Sequence, residues 1–470
     1  MLEYKYFLKE GGEQKLYVQG NSEERILVRK LDFHIFPCIC FMYMLNHLDR
    51  ANIANARIGG LESDLMLSST DYSTVVAIFF IGYLLAEIPS NMIIARLRPS
   101  KFLSAITFLW GSVVALTGVV RSKQSLVALR FFLGFLESGF MPGVLFFLAS
   151  WYRKNELTKR IGILYSSGVL AGAFSGLISG GILQNLDGAL GIRGWRWLFY
   201  IEGVVTISAS LIVVFFLPDW PSNTKWLSDE ERVLAILRLE VEKIEQGFFS
   251  PEPSKLKPLE ALMTTLKDWR TYLFSFIYLM LLSEVTISYF LPYITVTMGY
   301  TGQTAQFMTV PPYVVGSVVM SIGSASADYF DDRVFHIAVP ISFSGLMYAL
   351  CLRVTSPTIR YVLVCVGFGV AYSALPPLLA WVPQEMGYPD EKRAIVQAFV
   401  NAVGNCASFY GSFLWPKNQE PDFYLGFAMN SAFCFACLIA CIVGELSLRS
   451  FSPSRTKVSL IKPKSDVKSL

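Results

Sequence analysis

Apolar stretches of eighteen residues or more recur along the whole chain, and this one feature removes most of the architectures open to it. Each is long enough to cross a bilayer as a helix, which takes ~20 residues at 1.5 Å rise apiece. Composition agrees. Of 470 residues, 53% are apolar and 16% charged, with mean hydropathy +0.46; a soluble chain would carry nearer ~25% charged residues. The expected fold is therefore an all-α membrane protein.

Twelve spans are expected. Six fall near 33–56, 73–96, 102–120, 125–149, 161–183 and 197–217, and six near 271–297, 304–324, 336–353, 359–381, 393–415 and 424–446. The domain plan that follows is a tail at 1–32, a six-helix bundle at 33–217, a polar linker at 218–270, a second bundle at 271–446 and a tail at 447–470. The first thirty residues are polar, with no apolar core before a cleavage site, so the first span doubles as the targeting signal. In the linker, Ser228 and Glu231 have capping-box spacing, and an amphipathic helix in water is predicted from there. Both tails, the loop WYRKNELTKR (151–160) and the turn ARLRPSK (95–101) are basic, which places them with the linker on the cytoplasmic side.

Internal echoes mark the halves as repeats. Gly168, Gly172, Gly176 and Gly180 recur on one face of the fifth span, and Gly404, Ser408 and Ser412 on the eleventh. Such small-residue faces let helices approach closely, so they are packing signals. The turn ADYFDDR (327–333) echoes ARLRPSK.

The charges inside the spans point to function. An apolar run at 35–45 is too short to cross, so Asp49 and Arg50 of LDRANIANA are carried into the membrane. A mid-bilayer charge costs at least ~2.5 kcal/mol, and it persists facing a partner or a watery cavity. Asp49 and Arg50, about 100° apart, are expected to share an inward face. In the fourth span Arg130 and Glu137 lie two turns apart, with Gly134 clearing the surface between them, and Arg130 is near enough to the end to snorkel. A structural ion-pair cluster is the bland alternative, but buried pairs bring little net stability. A path for ions or substrate explains the four better. Glu87 and Glu284 are further intramembrane acids, each followed by a helix-loosening proline, Pro89 or Pro292. Tyr83, Tyr165, Tyr289 and Tyr372 are candidate cavity-lining aromatics.

Other classes lack support. There is no phosphate-loop motif for a primary pump. Three histidines and eight cysteines, all of the latter in apolar runs, argue against a metal site, and no cofactor or nucleic acid is expected.

The stretches LDRANIANA, GYLLAEIPSN, WG (110–111), RFFLGFLESGFMPG, SWYRKNELTKR, GWRWLFYIEG, LPDWPSNTKWLSDEER and GSFLWPKNQEPDFYLGF, in that order, resemble the major facilitator superfamily. Within it the chain is similar to the anion:cation symporters, and most of all to the fungal allantoate permease branch. The resemblance implies two pseudo-symmetric six-helix bundles working by alternating access, as a monomer. It implies proton-coupled symport of a small organic anion or vitamin-like carboxylate such as nicotinate, pantothenate or allantoate, at the plasma membrane. It assigns proton coupling to Asp49 and Glu137. Substrate binding falls to Arg50, Arg130 and Tyr83, with Asn401 and Asn405 of the eleventh span. The family's gating turn departs here, with Ala95 for aspartate and Arg98 for glycine, while Asp328 and Arg333 keep the second copy. An i, i+4 pair, Glu156 and Arg160, is expected to contribute to that gate. A nutrient sensor on the same fold is the alternative; the short tails and linker favour transport.

Overall fold

The computed structural model describes residues 6–10, 13–17, 20–94, 97–245, 258–330, 332–386 and 390–451. Strands β1 (Tyr6–Glu10) and β2 (Glu13–Tyr17) form an antiparallel hairpin in the N-terminal tail. Amphipathic α1 (Ser22–His34) leads into the first span, α2 (Phe36–Ala56). After α3 (Glu62–Asp64), the second and third spans are α4 (Ser69–Ile94) and α5 (Pro99–Thr117). The fourth is broken at residues 138–139 into α6 (Lys123–Glu137) and α7 (Phe140–Ala149). The half closes with α8 (Lys154–Asn185) and α9 (Gly194–Phe216). The linker contributes α10 (Asp229–Glu245) and α11 (Pro258–Lys267).

In the second half the seventh span is α12 (Trp269–Val285) with α13 (Leu291–Thr297), and the eighth is α14 (Gly302–Phe307) with α15 (Val310–Phe330). Then follow α16 (Val334–Cys351), α17 (Pro357–Tyr372) with α18 (Leu375–Glu385), α19 (Asp390–Asn405) with α20 (Ala407–Gly411), and α21 (Tyr424–Phe451). Ten of these spans are long and apolar enough to cross a membrane on hydropathy alone. The two that fall short, α2 and α19–α20, are those that carry Asp49 and Arg50, and the Asp390–Arg393 run with Asn401.

The small-residue faces do pack helices. A Cβ on Gly168 would lie 2.6 Å from the Tyr43 ring, and one on Gly404 2.1 Å from Tyr278, so fifth-on-first and eleventh-on-seventh contacts repeat between the halves. Gly172, Gly176 and Gly180 press against Tyr313, Thr309 and Phe307, joining the bundles through α8, α14 and α15. Gly134 does not clear a path between Arg130 and Glu137. Its Cβ would sit 1.9 Å from the Phe79 carbonyl oxygen, so it lets α6 lie directly on α4, with Gly82 reciprocating against Phe131.

The linker helix is not free in water. Both capping-box bonds form, Ser228 N to Glu231 Oε2 at 2.9 Å and Glu231 N to Ser228 Oγ at 3.2 Å. Beyond the cap, the helix docks on the first bundle. Arg238, fully buried, donates to the Trp151 carbonyl at 2.6 Å and to both Glu156 oxygens. α1 joins the same clasp, Lys30 holding Glu231 and Arg153 holding Glu24. Glu156 and Arg160 therefore do not pair side chain to side chain as expected. Arg160 makes a two-bond fork to Asp32 of α1, at 2.7 and 2.6 Å, because that acid presents both oxygens to the guanidinium plane.

Candidate functional site

Arg50 and Arg130 meet. Together with Ile53, Val76, Phe79, Phe80 and Tyr289 they line a small space between the two halves. Arg50 Nε donates to Glu137 Oε2 at 2.7 Å, and Asn46, one turn earlier on α2, donates to the same oxygen at 2.9 Å. The Arg50 guanidinium lies 5.2 Å from the Phe79 ring centroid and 5.1 Å from that of Tyr83. Aromatic faces thus flank a cation whose side chain is still partly open to water. Glu137 ends α6 at the break in the fourth span, and only its Oε2 is bonded.

Arg130 does not snorkel. It is 3% exposed, and its Nε and Nη2 meet no acceptor. A buried guanidinium with unmet donors beside a cavity is an open seat for an acceptor-rich group.

Asp49 and Arg50 do not share a face. The 100° between neighbours turns Asp49 away from the cavity, toward α5 and α9, where its Oδ2 accepts from Trp110 Nε1 at 3.1 Å and Thr206 Oγ1 at 3.5 Å. Asn401 is not among the residues lining that space; it donates across the halves to Glu87 at 2.6 Å. Asn405 ends α19, half-buried. Glu284 is sealed inside the second bundle, accepting from Tyr348 at 2.5 Å. Arg333 caps α16. Asp328 lies within α15, and its side chain, like residue Ala95, lies outside the described residues; Arg98 is exposed.

Three residues at work here carried no role in the sequence reading. Asn46 supports Glu137, and its i, i+4 spacing from Arg50 was the available signal. Glu202, within the stretch GWRWLFYIEG, lies one turn before Thr206, which reaches the Asp49 carboxyl. Arg57 closes the face opposite the tails: its guanidinium lies 4.3 Å from the Tyr72 ring and 3.8 Å from that of Tyr293, and its Nε donates to Glu62. On that face Tyr72 also donates to the Tyr289 carbonyl, and Gln306 to that of Asn55. The halves are thus latched on the face away from the tails, above the cavity.

The model of the Major Facilitator Superfamily matches residues 39–412. The chain belongs to that superfamily. Among relatives, the MFS transporter prlL of Fungal sp. (strain NRRL 50135) is 33% identical over 90% of this chain and 86% of its own. The major facilitator-type transporter hxnP of Emericella nidulans is 30% identical over 91% and 86%. A putative tartrate transporter of Agrobacterium vitis is 28% identical over 89% and 90%. Among solved structures, a bacterial homologue of the human lysosomal transporter Spinster, inward-facing and unoccupied, superposes with TM-score 0.67 at 15% identity, covering 94% of this chain and 100% of that one. A D-xylose–proton symporter does so with 0.63 at 14%, covering 87% and 96%. The two-bundle fold is that of this superfamily. The protein is a multi-pass membrane transporter, not an enzyme.

Proposed function

We propose that this transporter is a proton-coupled symporter of a small organic anion, in the anion:cation symporter group and near its fungal allantoate permease branch, acting at the plasma membrane. The observation that carries the reading is the pairing state of the two cavity arginines: Arg50 held by Glu137, Arg130 with open donors. Protonating Glu137 turns it from a counter-ion into a neutral group and frees the Arg50 fork. A substrate carboxylate then bridges Arg50 and Arg130, accepting up to two bonds from each. Proton and monoanion cross together without moving net charge, which otherwise costs or yields about 2.3 kcal/mol per 100 mV.

Tyr83 and Tyr289 flank the arginines and offer faces for a flat ring. The relative named as a putative tartrate transporter supports the carboxylate class.

The test is uptake into proteoliposomes of labelled nicotinate, pantothenate and allantoate, with and without an inward-directed proton gradient. Saturable, gradient-driven accumulation of one of them is expected, with Arg50→Ala abolishing it. Unimpaired uptake by Arg50→Ala removes the binding role given to this residue; uptake indifferent to the gradient removes the coupling.

A further inference from the structure

Behind the arginine cavity lies a second acidic site that the scheme above leaves idle. Asp49 is 1% exposed and its Oδ1 has no partner. Glu202 is 4% exposed and neither of its oxygens has one. Glu202 lies one helical turn before Thr206, which reaches the Asp49 carboxyl, so the two acids stand on the same side of α9 at neighbouring heights. They are close enough to act on each other electrostatically.

No basic side chain forms an ion pair with either acid among the described residues. The elements packed around them bring little charge. α5 offers Trp110 and Thr107, neither of which titrates, and α8 carries no charged residue from 161 to 184. From α6, Arg130 and Glu137 act on Asp49 from the cavity side with opposite signs. Two buried carboxyls without a counter-ion cannot both be ionised, since each charge is desolvated and repels the other. At least one proton must reside between them.

We propose that Asp49 and Glu202 form a two-carboxyl proton-holding site, with Glu202 as the positioning residue that sets how readily Asp49 releases its proton. This rests on the symport reading for its use in transport, though not for its existence. The step is proton transfer alone: an O–H bond breaks on one carboxyl and forms on another, or on water, with no change of oxidation state. Two such acids titrate as a unit, with macroscopic rather than individual midpoints.

The experiment is infrared titration of the purified protein with protons as the only ligand, following the carbonyl stretch of protonated carboxylic acids. In the wild type, a protonated-acid band assigned through Asp49→Asn and Glu202→Gln persists above neutral pH. The pair predicts that the two single losses do not sum to the loss in the double variant. Independent, additive losses overturn it, as does a band that both single variants leave unchanged. Should Glu202→Gln fail to fold, Glu202→Asp takes its place, its longer gap expected to shift the band's midpoint.

The second arm is uptake of whichever of the three labelled carboxylates the wild type accumulates. Glu202→Gln, leaving Asp49 with no second acid to repel, moves the midpoint of proton-driven uptake to lower pH by about one unit. An unmoved midpoint, in a wild type whose uptake follows the gradient, defeats the positioning role. A wild type with no gradient dependence defeats the symport reading instead, and leaves the infrared arm to decide the pair.

Discussion

At the scale of single residues, neighbours in sequence part company in space. Arg50 faces the cavity and Asp49 faces away from it, so the acid that answers Arg50 comes from another span, Glu137. This yields two predictions. Glu137→Gln retains substrate exchange between equal pools but loses accumulation driven by a pH gradient; accumulation as steep as in the wild type would argue against Glu137 as the proton carrier. Arg130→Lys keeps the charge and loses the fork. The expected cost is one hydrogen bond to a charged group, about 1.5–3 kcal/mol, read as a ten- to hundredfold rise in the half-saturating substrate concentration. Arg130, Glu137 and Arg50 were legible in the sequence because charge is so costly inside a membrane that its presence announces a partner. Their pairing was not legible, since helical spacing fixes angles along one helix and says nothing of which neighbour stands opposite. Asn46 and Glu202 escaped for a related reason: both lie inside expected spans, but the acid each one meets stands on another helix.

At the scale of elements, apolar runs mark ten of the spans, with helix ends up to seven residues from those expected, and the glycine stripes are packing faces. The loops were less legible. Basic residues marked 151–160 as facing the same way as the tails, yet the partners of Glu156 and Arg160 lie on α10 and α1, over 80 and over 120 residues away in sequence. Gly134 carries a direct stability prediction. Its missing Cβ is what lets α6 touch α4, and the atom in the way is backbone, which cannot rotate aside. Gly134→Ala should destabilise by about 1–3 kcal/mol, seen as a lower unfolding temperature in detergent. A smaller pH effect sits at the start of α12. Burial pushes the Asp268 carboxyl up, but hydrogen bonds from Arg270 and Lys392 outweigh it and hold Asp268 well below the usual carboxylate range. Its contribution to stability is therefore complete above its unfolded value of about 3.9 and is lost as pH falls toward the folded one. Lys392→Ala should flatten that acid limb of the unfolding curve.

At the scale of the whole molecule, the two bundles touch through tight glycine contacts and the Arg57 latch on one face, while on the tail face Asn401 and Glu87 make a single side-chain hydrogen bond between them among the described residues. An alternating-access cycle must release that latch. Arg57→Ala removes a desolvated cation over two rings, worth about 2 kcal/mol, and should favour the state open on that face by roughly thirtyfold. Faster reaction of Val76→Cys with an impermeant thiol reagent applied from that face would register it. The clasp of α1 and α10 onto the first bundle has a further consequence. α11, meanwhile, bonds to the start of the second bundle, Thr271 donating to the Thr265 carbonyl at 2.9 Å. Each bundle thus wears its own share of the linker, and covalent continuity between them passes through residues 246–257. A gene divided in that interval would encode two polypeptides that each keep their cladding, and their co-expression should rebuild a working carrier.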